Sequence, residues 1–438
     1  MPMLPSRRRP ARAQGRPLLA AATVAALLCL VPALAPLTLD AQQPKAGNKL
    51  FGFTDLHRIQ VTISAAEWAA LQTSTARNGG GTGGGDYKLT DGRLVHVGSG
   101  FSGYFPWARA TVRLDGTEFK DVGLRYKGNL SFTQSSASAP LFANFKLKID
   151  LNGTTGSWDG EKTFNIHAGV VDTSKMRDAL AYAIFRAAGV PAPRTTQAEL
   201  FFTVPGIYQD TPAGLFTIIE DINNRFLERV LPPGSGLLFK PEGLRGGIQD
   251  LGDSWSAYVT RMRPDRDATP HEQQRMIEFA KLVSQTNVEL FRKRIGEYLD
   301  VERFLRFIAV NAMIANTDSY LGGSHNYYVY LDPADDKFRF IPWDQDLSMG
   351  SRGNNNSPNI LAPYSGDQPL IYWLLDDPTV NARYRAIVRE IGTSVFTRIE
   401  LLKLIDALEK VGSGRGPSPR SFIEARAAHV EQLIAGWK

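Results

Sequence analysis

An α+β fold, sheet-rich in its first half and mainly helical in its second, is predicted by two patterns along this 438-residue chain and by its composition. Apolar residues recur with period two in short runs before residue 241, and with a period near 3.6 in longer runs after residue 269. A 43% hydrophobic fraction over this length can fill a large core and allows two or three domains.

Five arginines between Arg7 and Arg16 precede an apolar run from Leu18 to Leu37, the layout of a secretory leader, with a cut expected after Ala41. An uncut membrane anchor is the alternative, which Pro32 and Pro36 disfavour. The expected organisation is a leader over 1–41, a linker over 42–49, a main domain over 50–395 and a helical extension over 396–438 packing on it. Export to the periplasm, cell surface or medium follows, with no integral membrane span left after cleavage. Removing the leader takes away five Arg and one Asp, leaving 45 Lys+Arg against 43 Asp+Glu. The basic balance therefore belongs mostly to the leader and does not point to a nucleic-acid partner. The sole cysteine, Cys29, lies in the leader, so the mature chain is expected to have no disulfide, thiol nucleophile or thiolate metal site.

Residues 57–63 alternate as a strand, and 65–72 around Trp68 read as a short helix. The Gly-rich tract 79–85 lacks the Gly-Lys-Ser/Thr ending of a phosphate loop and reads as a surface loop. Two strands within 108–127 meet at Asp115-Gly116, a hairpin turn pair. After a Ser-rich loop, 142–150 alternates apolar and basic residues, which puts Lys146 and Lys148 on one strand face, suited to a polyphosphate or simply to solvent. Asp172-Thr173-Ser174 should cap a helix carrying Met176, Leu180 and Ile184 inward, ended by Gly189 and Pro191. Strands are expected at 198–204, 213–220 and 236–240, with a short helix at 223–229. Charged residues 261–273 mark a loop, and helices follow at 270–283, 287–298, 301–315, 381–393, 398–410 and 420–436.

The third of these later helices is apolar nearly all round and stops at Asn316-Thr317-Asp318. A hairpin, 326–331 and 337–342, turns at Asp332-Pro333-Ala334-Asp335-Asp336 and ends at Trp343-Asp344-Gln345-Asp346. Folding back, it would bring Asp318, Asn326 and Asp344 to one region. Such a group suits phosphoryl transfer, with one carboxylate orienting the attacking hydroxyl and the others holding magnesium. His325 is expected to anchor the loop, and the tyrosines at 327, 328 and 330 to pack.

Lys127-Gly128-Asn129, Met176-Arg177-Asp178-Ala179-Leu180, Gly189 to Arg194, Asn316-Thr317-Asp318, His325-Asn326-Tyr327-Tyr328 and Ile341 to Leu347 together resemble the signatures of the spore-coat protein H (CotH) kinase family, over roughly residues 50–395. The resemblance implies an atypical protein-kinase-like two-lobed fold, ATP with Mg2+ or Mn2+, and phosphorylation of protein hydroxyls outside the cytosol, the expected acceptor a Ser-rich extracytoplasmic protein. By the same resemblance Asp318 is the catalytic aspartate, Asn326 and Asp344 bind metal, and Asp346 is a second metal candidate. Lys146 meets the ATP phosphates, Lys148 is the alternative lysine, and Lys127, Gly128 and Asn129 line the phosphate-side loop. Arg177 and Glu220 match polar positions, Glu220 being assigned to the nucleotide site. Asp178 stands where the family helix often has Glu, a shorter arm for bracing a lysine.

Two other chemistries fit less well. Asp344-Gln345-Asp346 resembles the nucleophile segment of haloacid-dehalogenase phosphatases, but lies too late in the chain to be followed by the rest of that site. An EF-hand loop starting there would have Asn355 at its twelfth position, where a bidentate glutamate belongs. The alternative from another class is a surface-binding or structural protein that keeps the kinase-like fold with weak or no turnover.

Overall fold

The computed structural model describes residues 47–438 apart from 75–86, 91–92, 97–104, 129, 139–144, 243–246, 352–357, 366–367, 413, 415 and 438. The expected leader, the Gly-rich tract and Asn129 lie outside the described residues. The expected α+β class is met by thirteen strands and twelve helices among the described residues.

Seven strands close into a barrel in the order β1 (Leu56–Ile63), β4 (Ala108–Leu114), β5 (Thr117–Lys127), β6 (Lys146–Asp150), β7 (Thr163–His167), β9 (Tyr208–Glu220), β8 (Thr195–Val204). Neighbours pair antiparallel except β1 with β8, whose parallel pairing closes the ring. Period-two burial fills the barrel: Ile59, Val61 and Ile63 of β1 and Ala108, Ala110, Val112 and Leu114 of β4 point into one apolar cluster. The β4–β5 turn takes positive φ at Asp115 (48°) and Gly116 (86°), the geometry that this residue pair favours. A small hairpin, β2 (Tyr87–Thr90) with β3 (Arg93–His96), is separate from the barrel sheet.

Helices α1 (Ala65–Leu71) and α2 (Leu130–Ser138) punctuate these strands. The Ser-rich segment expected to be a loop is thus helical, with Ser135 Oγ donating to Ser131 O one turn back at 2.7 Å. Strand β7 escapes the periodicity reading, because Thr-Phe-Asn-Ile-His is short and half polar. Pairing with β6 and β9 stabilises it where its own propensity is weak.

A second apolar cluster gathers α3 (Arg177–Ala187) with α4 (Asn224–Val230), α5 (Trp255–Tyr258), α6 (Pro270–Ser284), α7 (Val288–Tyr298), α8 (Val301–Met313), α9 (Pro369–Leu375), α10 (Pro378–Ser394), α11 (Arg398–Val411) and α12 (Arg420–Ala435). These helices pack around the antiparallel sheet β11 (Met262–Pro264), β10 (Leu237–Pro241), β12 (Tyr327–Asp332), β13 (Lys337–Pro342). Helix α6 begins with a capping box, Thr269 with Glu272, and Pro270 in its first turn. The expected 261–273 loop is therefore shortened by β11, while α6 starts at residue 270 as expected. Helix α3 starts without a side-chain cap. Asp172 instead folds back, accepting from Arg177 N at 2.8 Å and from Arg177 Nη1 at 2.5 Å.

Candidate active site

Strands β5, β6 and β7 lie side by side, so alternate residues share a face. Lys127 is in register with Lys146, Arg125 with Lys148, and Lys148 with Asn165, which makes this face polar throughout. The two lysines of β6, two residues apart, find different partners. Lys146, only 3% exposed, holds its Nζ 2.5 Å from Asp344 Oδ1 and 2.8 Å from Asp346 Oδ2. Lys148 donates to Asp221 Oδ2 at 2.9 Å, beside donors from Thr163 (2.9 Å) and Asn165 (2.8 Å) on the same carboxylate. Lys127 donates to Asn165 Oδ1 at 2.7 Å and lies 4.9 Å from the centre of a Trp343 ring. Burial, then repulsion from Lys148, pulls its pKa well down. Gly128 follows with φ +88°, and a Cβ there would sit 2.3 Å from Ser131 Oγ and 3.6 Å from Lys146 Cδ. The close approach to Ser131 and the positive φ together call for glycine.

The acidic loop after β13 is fastened on two sides. From α3, Asp178 Oδ1 accepts Gln345 N at 2.8 Å and Tyr182 Oη accepts Asp344 N at 2.9 Å, the two side chains lying one helical turn apart. From the end of α8, Asn316 Nδ2 donates to Gln345 Oε1 at 2.8 Å, while Ile314 O accepts Met349 N at 2.7 Å. Asp344 itself is held at φ +52°, a left-handed backbone rarely adopted away from functional or turn positions. Asp178 therefore braces the acidic loop through its backbone, and its second oxygen lies 2.9 Å from His167 Nδ1. Sequence reasoning assigns no role to Asn165, His167, Tyr182, Asp221, Asn316 or Gln345. Only the polar alternation Thr163-Asn165-His167 in an otherwise apolar stretch signals part of this set.

Asp318 lies on the adjoining turn. Its backbone N donates to Asn316 Oδ1 at 3.0 Å, so Asn316 ties this turn to the acidic loop. Asn326 donates Nδ2 to Asp318 Oδ2 at 2.9 Å and to Asp318 O at 2.7 Å, and its own carbonyl accepts Trp343 N at 3.1 Å. His325 Nε2 is 3.1 Å from Asp318 Oδ1. Burial opposes protonation of His325, but the hydrogen bond and charge of Asp318 outweigh it and raise its pKa. The hairpin thus brings Asp318, Asn326, Asp344, Asp346 and Lys146 into one connected assembly.

One ammonium faces three carboxylates here, and they cannot all ionise cheaply. Burial alone would raise the pKa of Asp344, yet Lys146 holds it below the usual carboxylate range. Burial and the Asp344 charge push Asp346 well up, and push Asp178 up to about 7. His167 is kept neutral by burial and by Lys146 and Lys127. The carboxyl groups of Asp344 and Asp346 already converge on one cation, the Lys146 ammonium. Asn326, its amide NH2 spent on Asp318, keeps a carbonyl oxygen as acceptor. This oxygen-rich set fits a hard divalent ion such as Mg2+ or Mn2+. His167, Asp178 and Asp344 offer a further trio of ligand atoms within 4.8 Å of one another.

Glu220 is not brought into this group, which corrects the expectation made for it. Its carboxylate is 2% exposed and clamped by Arg194 Nη2 (2.7 Å) and Arg229 Nη2 (2.5 Å). At the end of β9, Glu220 engages these arginines while the next residue, Asp221, reaches the lysine face.

A family model described as CotH kinase protein matches residues 124–413. The chain is 24% identical over 247 residues to invasin CotH7 of Rhizopus delemar, covering 52% of this chain and 39% of that protein. It is 21% identical over 243 residues to the inner spore coat protein H of Bacillus subtilis, covering 54% and 64%. The chain therefore spans less than two thirds of the length of these curated relatives. Among solved structures, a chain of the Shewanella oneidensis HipA–HipB–operator DNA complex aligns over 68% of this chain and 63% of its own at 12% identity, with a TM-score of 0.32. The Helicobacter pylori proinflammatory kinase CtkA aligns over 66% and 94% at 9% identity, with a TM-score of 0.26. At such TM-scores neither likeness bears on fold or chemistry. The family match covers more than half of the chain and includes all the residues of the assembly just described, so this chain belongs to the CotH kinase protein family.

Proposed function

We propose that this protein is an exported atypical kinase of two-lobed, kinase-like fold that moves the γ-phosphate of ATP to a protein hydroxyl, with serine the expected acceptor. The observation that carries the reading is the Lys146–Asp344–Asp346 centre, tied through Asn316 and Asn326 to Asp318. Asp318, oriented by Asn326 Nδ2 and His325, would align the acceptor hydroxyl and take its proton. Lys146 would neutralise phosphate oxygens, with Lys127, Lys148 and the Gly128 turn lining the phosphate side. A divalent ion, Mg2+ or Mn2+, held by Asp344, Asp346 and Asn326, would supply charge neutralisation for the triphosphate. Positioning and preorganised charge would provide most of the rate.

Export is supported by the arginine-led apolar leader and by the printed names of the relatives, an invasin and a spore coat protein. Among the described residues no helix is long and apolar enough to cross a membrane. The same names favour a second reading, a surface-binding protein with weak or no turnover. Mature protein incubated with labelled ATP, Mg2+ or Mn2+ and a Ser-rich protein separates the two. Label transfer that disappears in Asp318→Ala and Asp344→Ala is expected. Absence of nucleotide binding with either metal would favour the binding protein.

A further inference from the structure

We infer that Lys146 is the resident counter-ion of the Asp344–Asp346 pair and excludes divalent cations from it until a phosphate draws the ammonium away. This deepens the kinase reading and rests on it for the identity of the phosphate ligand. The geometry is direct. Nζ lies 2.5 Å from Asp344 Oδ1 and 2.8 Å from Asp346 Oδ2, so it occupies the point on which both carboxylates converge. Oxygen–metal distances for Mg2+ or Ca2+ are ~2.0–2.6 Å, so an ion bound to the same Asp344 oxygen would stand within about 5 Å of the ammonium. Two cations that close, in a site from which water is largely excluded, repel strongly.

Exposure gives the exchange a direction. The side chains of Lys146 and Asp346 are 3% and 6% exposed, whereas that of Asp344 is 26% exposed. An incoming ligand therefore meets Asp344 first, and Lys146 must shift before both carboxylates can turn to a metal. Its stem runs past Gly128, with Cδ 3.6 Å from where a Cβ would stand on that glycine. A triphosphate offers the ammonium new oxygen partners and brings its own divalent ion, so nucleotide and metal are expected to enter together, with metal alone held off.

The test uses Mn2+ with the mature protein and no nucleotide, following the free-ion signal by electron paramagnetic resonance. Lys146→Met is expected to bind Mn2+ at least tenfold more tightly than wild type. Lys146→Arg, which keeps the charge, should show no gain, and adding Asp344→Asn to Lys146→Met should remove the gain. Equal or weaker binding by Lys146→Met, or an equal gain in Lys146→Arg, overturns the inference. Lys146→Gln carries the same expectation and the same overturning result should the Met variant not fold. Because no nucleotide is present, a wild type that transfers no phosphate would sink the kinase reading and leave this measurement standing.

Discussion

The Lys146 centre and the Glu220 clamp are two buried ion networks made from the same kinds of side chain, with opposite ratios of base to acid. In the clamp, two guanidinium groups close on one carboxylate, and a second acid, Glu161, lies 3.4 Å from Arg194. In the centre, one ammonium faces the carboxylates of Asp344 and Asp346, with Asp178 close behind. The clamp is saturated and closed, with Glu220 2% exposed. The centre has more carboxyl groups than ammonium groups and is partly open at Asp344, which is the condition proposed for exchanging its cation. Buried charge therefore marks a site here only where carboxyl groups outnumber their cation and solvent reaches one partner.

The comparison breaks most sharply at Asp344. Asp344→Asn removes the carboxylate that faces solvent, and phosphotransfer should fall roughly 10³-fold or more while the melting temperature stays near wild type. A comparable loss of fold with no separate loss of turnover would erase the distinction. Glu220→Gln should do the reverse: it takes the shared carboxylate from Arg194 and the part-buried Arg229, lowering stability by about 3–5 kcal/mol in urea unfolding while nucleotide affinity measured below the melting transition is retained.

Glu161 sharpens the contrast through pH. Burial and the neighbouring Glu220 raise its pKa from 4.5 to about 7. The folded chain thus holds a proton that the unfolded chain releases, so this contribution to stability is full below pH 4.5 and is lost as pH rises through about 7. Glu161→Gln cannot ionise. Its stability relative to wild type should improve by about 2 kcal/mol between pH 5 and pH 8, and a pH-independent difference would contradict the assignment. The smallest effect is expected at Lys148→Met, since Asp221 keeps Thr163 and Asn165 as donors. A stability loss of about 1 kcal/mol and a KM for ATP raised less than in Lys146→Met would fit the division of labour between these two lysines.

Elements with strong local signals are legible in the amino-acid sequence. The all-round apolar pattern of α8, the Asp115-Gly116 turn and the Asp-Pro-Ala-Asp-Asp turn each declare themselves over a few residues, because helix period, strand period and positive φ are local properties. The resemblance carried by short ordered motifs adds Lys146, Asp318, Asn326, Asp344 and Asp346, and the structure joins these five. It does not separate Glu220 from Asp221, adjacent acids at a strand end whose partners sit on different elements. Nor does it find Tyr182, or that Asp178, which it offers as a brace for a lysine, accepts a backbone N–H group as Tyr182 does from a loop more than 160 residues away.

The chain's own order of residues determined where most helices and strands form, that no cysteine follows Cys29, and that two lysines share one strand face. Tertiary structure alone decided which of those lysines meets the acidic loop, how β1 and β8 close the barrel, and which acid is locked away by arginines. The reason is physical: periodicity assigns a side chain to a face, but the partner it meets there depends on which distant backbone the fold lays against it.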